Sequence, residues 1–378
     1  MSFSFSDLLK PYRNLVTRLT KMPRIGLYVG HEAVNLVQME EAGQSLRIRA
    51  IAALPFPDAR EAVLHDTKGF KALLERARSI QPFSGKHVVS SLSSSEVKTS
   101  MVIFKRQKGL SDEQALVAEL RERMQGDLGE SVVDFMALRH LDPDVEVGEA
   151  LVAIAPRKNV LAYLDALSAA GLHVDALDVG PNALSRLVRH SGALKWREFP
   201  KLPNALLINV GLHSTFLSII WGRRLILDRP VDFSEKRLLE RLVKVLGMSD
   251  ALALSLLRSM EEPGESAEDA RKTVIEVLRP EMSALQQEIN RTLVYMASKT
   301  RGKSVDIIFL SGCVARYPGL LSGFQQSLQV PVCVLNPLTL FASGPQAATF
   351  DTSLGLRPGI VLASGLALHN IEEPDTWT

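Results

Sequence analysis

The strongest constraint on this chain is a pattern that occurs twice. At 24–54 an apolar strand, RIGLYVG, turns at a glycine into AVNLVQME, and EEAGQS leads on to a third strand, LRIRAIAAL. From about 205, ALLINVG, STFLSIIWG and RRLILDRPV repeat that order, and aligning YVGHEAVNLVQM with NVGLHSTFLSII places Val29 on Val210 and Gly30 on Gly211. A helix is expected at about 60–79, where Val63, Phe70, Leu73, Leu74 and Ala77 form an apolar stripe, and a long helical region is expected at about 234–300. The strand KHVVSSLS closes the first round. Three strands, a helix and a strand, repeated, predict a duplicated α/β unit with one site between its halves.

Composition narrows the function classes. The chain has 378 residues, 46% hydrophobic and 23% charged, which suits two or three compact soluble units. Lys plus Arg number 44 against 42 for Asp plus Glu, so no broad field favours nucleic acid. Cys313 and Cys333 are too few for a disulfide scaffold and read as reduced thiols in a cytoplasmic protein. The most apolar window, 205–222, is broken by Asn209, His213 and two glycines, so it reads as a buried hairpin and not as a membrane span.

Two further segments stand apart from the duplicated unit. Residues 1–22 carry Leu8, Leu9, Tyr12, Leu15 and Leu19 at helical spacing, with Lys10, Arg13, Arg18 and Lys21 between them. Such a basic amphipathic segment suits a membrane surface, a partner, or the chain's own domain. At 95–177 a small α/β subdomain is expected: the strand VKTSMVIFK, the helix LSDEQALVAELRERM with Ser111 and Gln114 as a capping box, and a strand, helix and strand through EALVAIAP, RKNVLAYLDALSAAGL and HVDALDV.

Several chemistries have no support. LDPDVEVGE begins like a calcium loop, but Val147 and Ala153 stand where Gly and Glu are needed. No histidine pair has metal-helix spacing, and no G-x-S-x-G or Walker A motif occurs. In DIIFLSGCVARYPGLLSGF a buried strand runs through Ser311 into Gly312 and then a helix, where a glycine permits close approach of a backbone or a flat ligand.

Taken in order, GLYVGHEAVNLVQ, AALP, AGLHVDALDVGPNALSRL, LLINVGLHSTFLSII with the later DRPVDFS, FLSGCVARYPGLLSGFQQSLQVPVCVLNP and the terminal GLALHN carry a resemblance. From about 23 to 370 the chain resembles the actin-like ATPases, and within them the type IV pilus assembly protein PilM family, relatives of the cell-division protein FtsA. The resemblance implies a duplicated actin-like (ribonuclease H-like) core with an inserted FtsA-like subdomain. It also implies ATP between the halves and a partner in the cytoplasmic tail of the membrane protein PilN. Other proteins of the pilus platform would be further partners, with the chain peripheral on the cytoplasmic face of the inner membrane. The corresponding domains are 1–22 as an N-terminal segment, 23–94 with 178–202 as the first half, 95–177 as the insertion, and 203–378 as the second half, with a helical part at 236–300.

The nucleotide-binding positions that the resemblance marks are Gly30, His31, Asn35, Asn209, Gly211, Ser214, Thr215, Gly312 and Cys313. Their chemistry departs from the family's. Tyr28 stands where the family has an Asp for the magnesium shell, and Asn35 where it has a Lys. A phenol does not replace a carboxylate on a hard cation, and an amide brings no positive charge. Asn209 replaces a second Asp, Cys313 replaces the second glycine of the adenosine turn and sets a Cβ in its approach, and Leu254 and Leu257 fall where a Glu and a Lys contact the sugar. The usual Gly-Gly before the long helix is replaced by VDFSEKR.

Strand alternation puts Gly26, Tyr28 and Gly30 on one face, so the Tyr28 ring is expected to lie across both glycines, either filling phosphate space or packing as an ordinary hairpin aromatic. Phosphate buried without compensating groups is strongly unfavourable. The expectation is therefore a non-catalytic scaffold with no catalytic residue, no metal and no cofactor. The alternative is an ATP-binding or ATP-hydrolysing switch in which Glu32 and Asp228 serve the magnesium ion indirectly. A sugar-kinase-like enzyme on the same fold ranks last, because no catalytic Asp is identifiable.

Overall fold

The computed structural model describes residues 24–42, 45–106, 109–123, 129–138, 146–195, 203–222, 224–259, 268–343, 351–369 and 371. The basic segment 1–22 lies outside the described residues. The chain forms two compact units: residues 1–197 with 337–355 and 359–378, and residues 198–336 with 356–358.

In the first unit, β1 (Ile25–Val29), β2 (Ala33–Ala42) and β3 (Ser45–Pro55) form an antiparallel meander, and β4 (His87–Ser91) runs parallel to β1. Outside β4 lies β8 (His173–Asp178), also parallel, and β14 (Ala342–Ser343) pairs with β3, giving the order β14-β3-β2-β1-β4-β8. Alternation along β1 sets the two faces. Ile25, Leu27 and Val29 enter a core with Phe70 and Leu74 of α2 (Thr67–Ser79) and Tyr163 and Leu167 of α4 (Arg157–Ala169). A short α1 (Arg60–His65) precedes α2, so the helix expected at 60–79 is two helices. On the opposite face, Tyr28 packs with Ala183 of α5 (Gly180–Lys195) and with Leu362 and Leu366 of α11 (Pro358–Ala367).

A Cβ on Gly26 would overlap backbone atoms of Ala363 and Ala367, so the bare glycine lets α11 lie directly on the strand. This contact ties the C-terminal residues to the first unit, whereas the sequence reading assigned all of 203–378 to the second half.

The insertion is a three-stranded antiparallel sheet of β5 (Lys98–Lys105), β6 (Ser131–Leu138) and β7 (Val147–Pro156), in the order β5-β7-β6. One face is covered by α3 (Asp112–Arg123), through Ala115, Leu116 and Leu120 against Val102, Phe104, Ala150 and Val152. The capping box forms at its start: Gln114 N donates to Ser111 Oγ at 3.2 Å, and Ser111 N donates to Gln114 Oε1 at 3.0 Å. The expected boundary at 177 is too late. Both α4 and β8 belong to the six-stranded sheet and its core, so the inserted strands end with β7.

The second unit repeats the first sheet's topology. In it, β9 (Ala205–Val210) pairs antiparallel with β10 (Thr215–Trp221) and parallel with β12 (Ile307–Gly312), as β1 does with β2 and β4. With β11 (Arg224–Val231) and β13 (Val332–Val334) the order is β11-β10-β9-β12-β13. The helical stretch resolves into α6 (Glu235–Leu246), α7 (Asp250–Ser259) and α8 (Glu268–Lys299), and α9 (Pro318–Ser327) follows β12. Leu238, Leu257, Leu278, Ile289 and Phe324 from these helices join Leu206, Ile208 and Leu310 of the sheet in one core. A short α10 (Pro337–Leu340) returns the chain to the first unit.

Candidate functional site

The first hairpin is closed by its own groups. Gly30 N donates to Ala33 O at 3.0 Å. Asn35 is buried, and its amide donates to the carbonyls of Ala33 at 3.1 Å and Tyr28 at 3.4 Å, facing Gly359 at the start of α11. The Tyr28 ring lies over Gly30, 3.2 Å from where a Cβ would stand, while Gly26 is covered by α11 and not by the ring. Burial raises the Tyr28 pKa, opposed by the charge of Arg60.

Beneath the turn lies an ion pair that sequence reading missed. Arg60, only 4% exposed, donates through Nη1 and Nη2 to Glu96 at 2.9 and 2.7 Å, and through Nε to the Val29 carbonyl at 3.2 Å. Its guanidinium sits 5.9 Å from the centre of the Tyr163 ring. Glu96 also accepts from Ser93 N at 3.0 Å, and Ser93 Oγ meets His31 Nε2 at 3.2 Å. The Arg60 cation, which contacts the end of β1, is thus held in a bidentate pair, and His31 at the tip is tied to the same network. No short-range signal connects residues separated by 36 positions.

The second hairpin turns with Gly211 N donating to Ser214 O at 2.9 Å. The first turn of α6 docks against it: Glu235 N donates to Gly211 O and Lys236 N to Leu212 O, both at 3.0 Å, while Arg237 N donates to Ser234 Oγ at 3.2 Å. These are the amides that a helix N-terminus offers to an anion, and protein oxygens already accept from them.

The polar side chains of this hairpin do not converge. Register puts Thr215 with Val210 and Gly312 on one face, and Asn209 with Phe216 and Ser311 on the other. Thr215 Oγ1 and Ser311 Oγ are both buried with no hydrogen-bond partner among the described residues, and they lie on opposite faces. His213 is exposed on the turn and Ser214 is half-buried.

Gly312 has φ +91°, and a Cβ there would overlap the Val210 backbone, so the sheet itself requires this glycine. Cys313 is buried in the core of the second unit. Burial, then the charge of Glu235, lifts its thiol pKa well above the ordinary value. The Tyr317 hydroxyl donates to Glu235, and Leu257 is a core residue. Asp228 sits in mid-strand opposite Ser218, whose hydroxyl donates to it at 2.5 Å, and burial raises its pKa to about 7. Glu32, by contrast, is exposed. Among the described residues no group of three or more His, Cys, Asp or Glu is placed to hold a metal ion, and no helix is long and apolar enough to cross a membrane.

The first unit contains an open cavity of about 210 Å³ elsewhere. Its floor is the face of β6 and β7 opposite α3, where the register pairs Val132 with Ala155, Asp134 with Ala153, and Met136 with Leu151; the Val132–Ala155 end of that face is buried in the first unit's main core. The small side chains of Ala153 and Ala155 create the depth. The facing wall is the β8–α5 turn, with Leu177, Asp178 and Val179. Asp178 is fully engaged: it accepts from Val179 N at 2.8 Å, Asn182 Nδ2 at 2.9 Å and Arg186 Nη2 at 2.8 Å. Asp134 reaches solvent and accepts from Phe135 N at 2.8 Å; crowding by protein, then the charges of Asp178 and Glu113, raises its pKa.

Comparison with known proteins agrees with this architecture. A solved structure described as a PilM-PilN type IV pilus biogenesis complex superimposes with a TM-score of 0.71 at 25% identity, covering 93% of this chain and 100% of that one. The ethanolamine utilization protein EutJ from Carboxydothermus hydrogenoformans matches at a TM-score of 0.50 and 11% identity, over 94% of this chain and 93% of that one, which bears on the fold alone. The fold is the actin-like α/β fold. A family profile described as type IV pilus assembly protein PilM matches residues 26–371, and the chain belongs to that family.

Proposed function

We propose that this chain is a non-catalytic actin-like scaffold of a type IV pilus or a related secretion platform. It docks the cytoplasmic tail of a PilN-like inner-membrane protein in the cavity between β6–β7 and the β8–α5 turn. The observation that carries the docking is that cavity: about 210 Å³, apolar-floored, and below the roughly 300–1,000 Å³ of small-molecule sites. One or two side chains of an extended peptide suit it better than a nucleotide does. The partner class follows from the match to a PilM-PilN complex. Binding such a tail would hold the chain peripherally on the cytoplasmic face of the inner membrane, beside the other platform proteins.

Mg-ATP fits the hairpins poorly. The first-turn amides of α6 are engaged by Gly211, Leu212 and Ser234, the Tyr28 ring covers Gly30, and Arg60 is held by Glu96. A triphosphate would therefore meet few free donors. A nucleotide-binding switch draws support from the Thr215 hydroxyl, buried without a partner among the described residues, but Ser311 on the opposite face cannot join it on one ligand.

The test is binding of a fluorescent peptide copying the tail of the PilN-like partner, with and without Mg-ATP. Equal affinity in both conditions is expected, and Ala153→Leu, which fills the floor, should weaken it at least about tenfold. No binding in either condition overturns the docking; turnover of ATP that is required for binding overturns the non-catalytic reading.

A further inference from the structure

The cavity contains two carboxylates in unlike states, and the difference bears on what it selects. Asp178 accepts three hydrogen bonds, one of them from the Arg186 guanidinium, and has little acceptor capacity left. Asp134 accepts only one, from its neighbour's backbone amide, and among the described residues no cation pairs with it. It stands on the open face of β6, opposite Ala153, between the apolar side chains of Val132 and Met136.

We infer that Asp134 is the specificity anchor of this cavity: it receives the lysine or arginine side chain of the docked tail, while an aliphatic residue next to that cation fills the space over Ala153 and Ala155. The inference rests on the docking reading and adds the chemistry by which the site chooses its peptide.

The charge balance favours this occupant over its opposites. Crowding by protein and the negative charges of Asp178 and Glu113 disfavour the ionised Asp134, against the Phe135 amide that favours it, so an arriving cation relieves a net opposition. A neutral tail would cover the carboxylate and leave it desolvated without compensation, and an acidic tail would add a like charge. The aliphatic stem of Lys or Arg also suits the apolar side chains of Val132 and Met136 that flank Asp134 on the same strand face. Arg is the better fit if both carboxylate oxygens are used, because its guanidinium can bridge them.

The experiment is a double-mutant cycle between the full chain and the same fluorescent tail peptide. Asp134→Asn keeps the shape and removes the charge; in the peptide, the basic residue is changed to Gln. Each single change is expected to weaken binding on the order of tenfold, and the two together little more than one alone. The reversed pair, Asp134→Lys with Glu in the peptide, should recover binding. Asp134 reaches solvent, so the variants are expected to fold, and thermal melting checks this. If Ala153→Leu abolishes binding while Asp134→Asn leaves it unchanged, the docking stands and this inference falls. Additive single effects, or tight binding by a tail with no basic residue, also overturn it. If neither Ala153→Leu nor Asp134→Asn matters, the cavity is not the docking site.

Discussion

The two glycine hairpins and the cavity on β6–β7 both look like places for a ligand, but they differ in the state of their polar groups. At the hairpins the groups are occupied by the protein: Arg60 by Glu96 and Val29, Asn35 by two backbone carbonyls, and the first amides of α6 by the turn they face. In the cavity, Asp134 keeps unused acceptor capacity beside an apolar floor deepened by alanines. A turn whose donors are satisfied internally is stable without a ligand. Recognition is better sought where burial is incomplete and a charge lacks its counterion.

Breaking the closed network at the first hairpin should have the largest effect. Arg60→Ala removes a buried cation, leaves Glu96 without its counterion and the Val29 carbonyl without this donor, and deletes the group packed on Tyr163. A loss of about 3–5 kcal/mol is expected, by denaturant titration of the full chain. A loss below about 1 kcal/mol, typical of an exposed pair, would mean that the hairpin is not held this way.

A carboxyl of the second unit sharpens the contrast with Asp134. Asp228 keeps its proton in the fold up to about pH 7, while an unfolded chain releases it near the ordinary value of 3.8. Below about pH 4 both states are protonated and the group costs nothing. As pH rises from there toward 7, the unfolded state gains by ionising, stability falls, and above 7 the penalty is constant. Asp228→Asn should therefore match the parent at pH 4 and exceed it at pH 8 by up to about 4 kcal/mol, at 1.36 kcal/mol per pKa unit. Equal melting temperatures at both pH values would show that Asp228 is ionised in the fold.

A smaller effect is expected at the N-cap of α6. Ser234→Ala frees Arg237 N and should cost about 1 kcal/mol. Tail binding should not change, because the cap belongs to the second unit and the cavity to the first. A tail affinity that falls with the cap would show that the cap and the cavity are coupled.

The parts of this fold that could be read in advance are those carried by local periodicity. The alternation of Ile25, Leu27 and Val29 against Gly26, Tyr28 and Gly30 is the alternation of the two sheet faces, and the matched hairpins at Gly30 and Gly211 occupy equivalent places in two sheets of like order. The capping box of Ser111 and Gln114 is a four-residue signal and formed as such. What was missed depends on contacts between distant segments. Nothing near Arg60 points to Glu96, and nothing near Gly26 points to Ala363.

The strand β6 is hard to read from the sequence because Asp134 interrupts its apolar run, and the cavity lining is hidden with it. A signal did exist in β7: Ala150, Val152 and Ile154 alternate with Leu151, Ala153 and Ala155, and the smaller set faces the cavity.

The smallest expected effect tests the hairpins most directly. Any ligand that binds only the folded chain raises its stability by RT ln(1 + [L]/Kd), so at about 1 mM Mg-ATP a micromolar site would contribute roughly 4 kcal/mol and a millimolar one only about 0.4. With Asn35 committed to backbone carbonyls and the α6 amides committed to the turn, the expected shift lies at or below the lower figure, by thermal melting with Mg-ATP against Mg-ADP and magnesium alone. Tyr28→Ala then separates the remaining causes. It uncovers Gly30 by removing the ring, but leaves Arg60 paired and the α6 amides occupied. If the ring alone excludes phosphate, the variant gains a nucleotide-dependent shift; if the missing free donors decide, as the geometry of both hairpins indicates, the variant melts lower than the parent and remains indifferent to ATP.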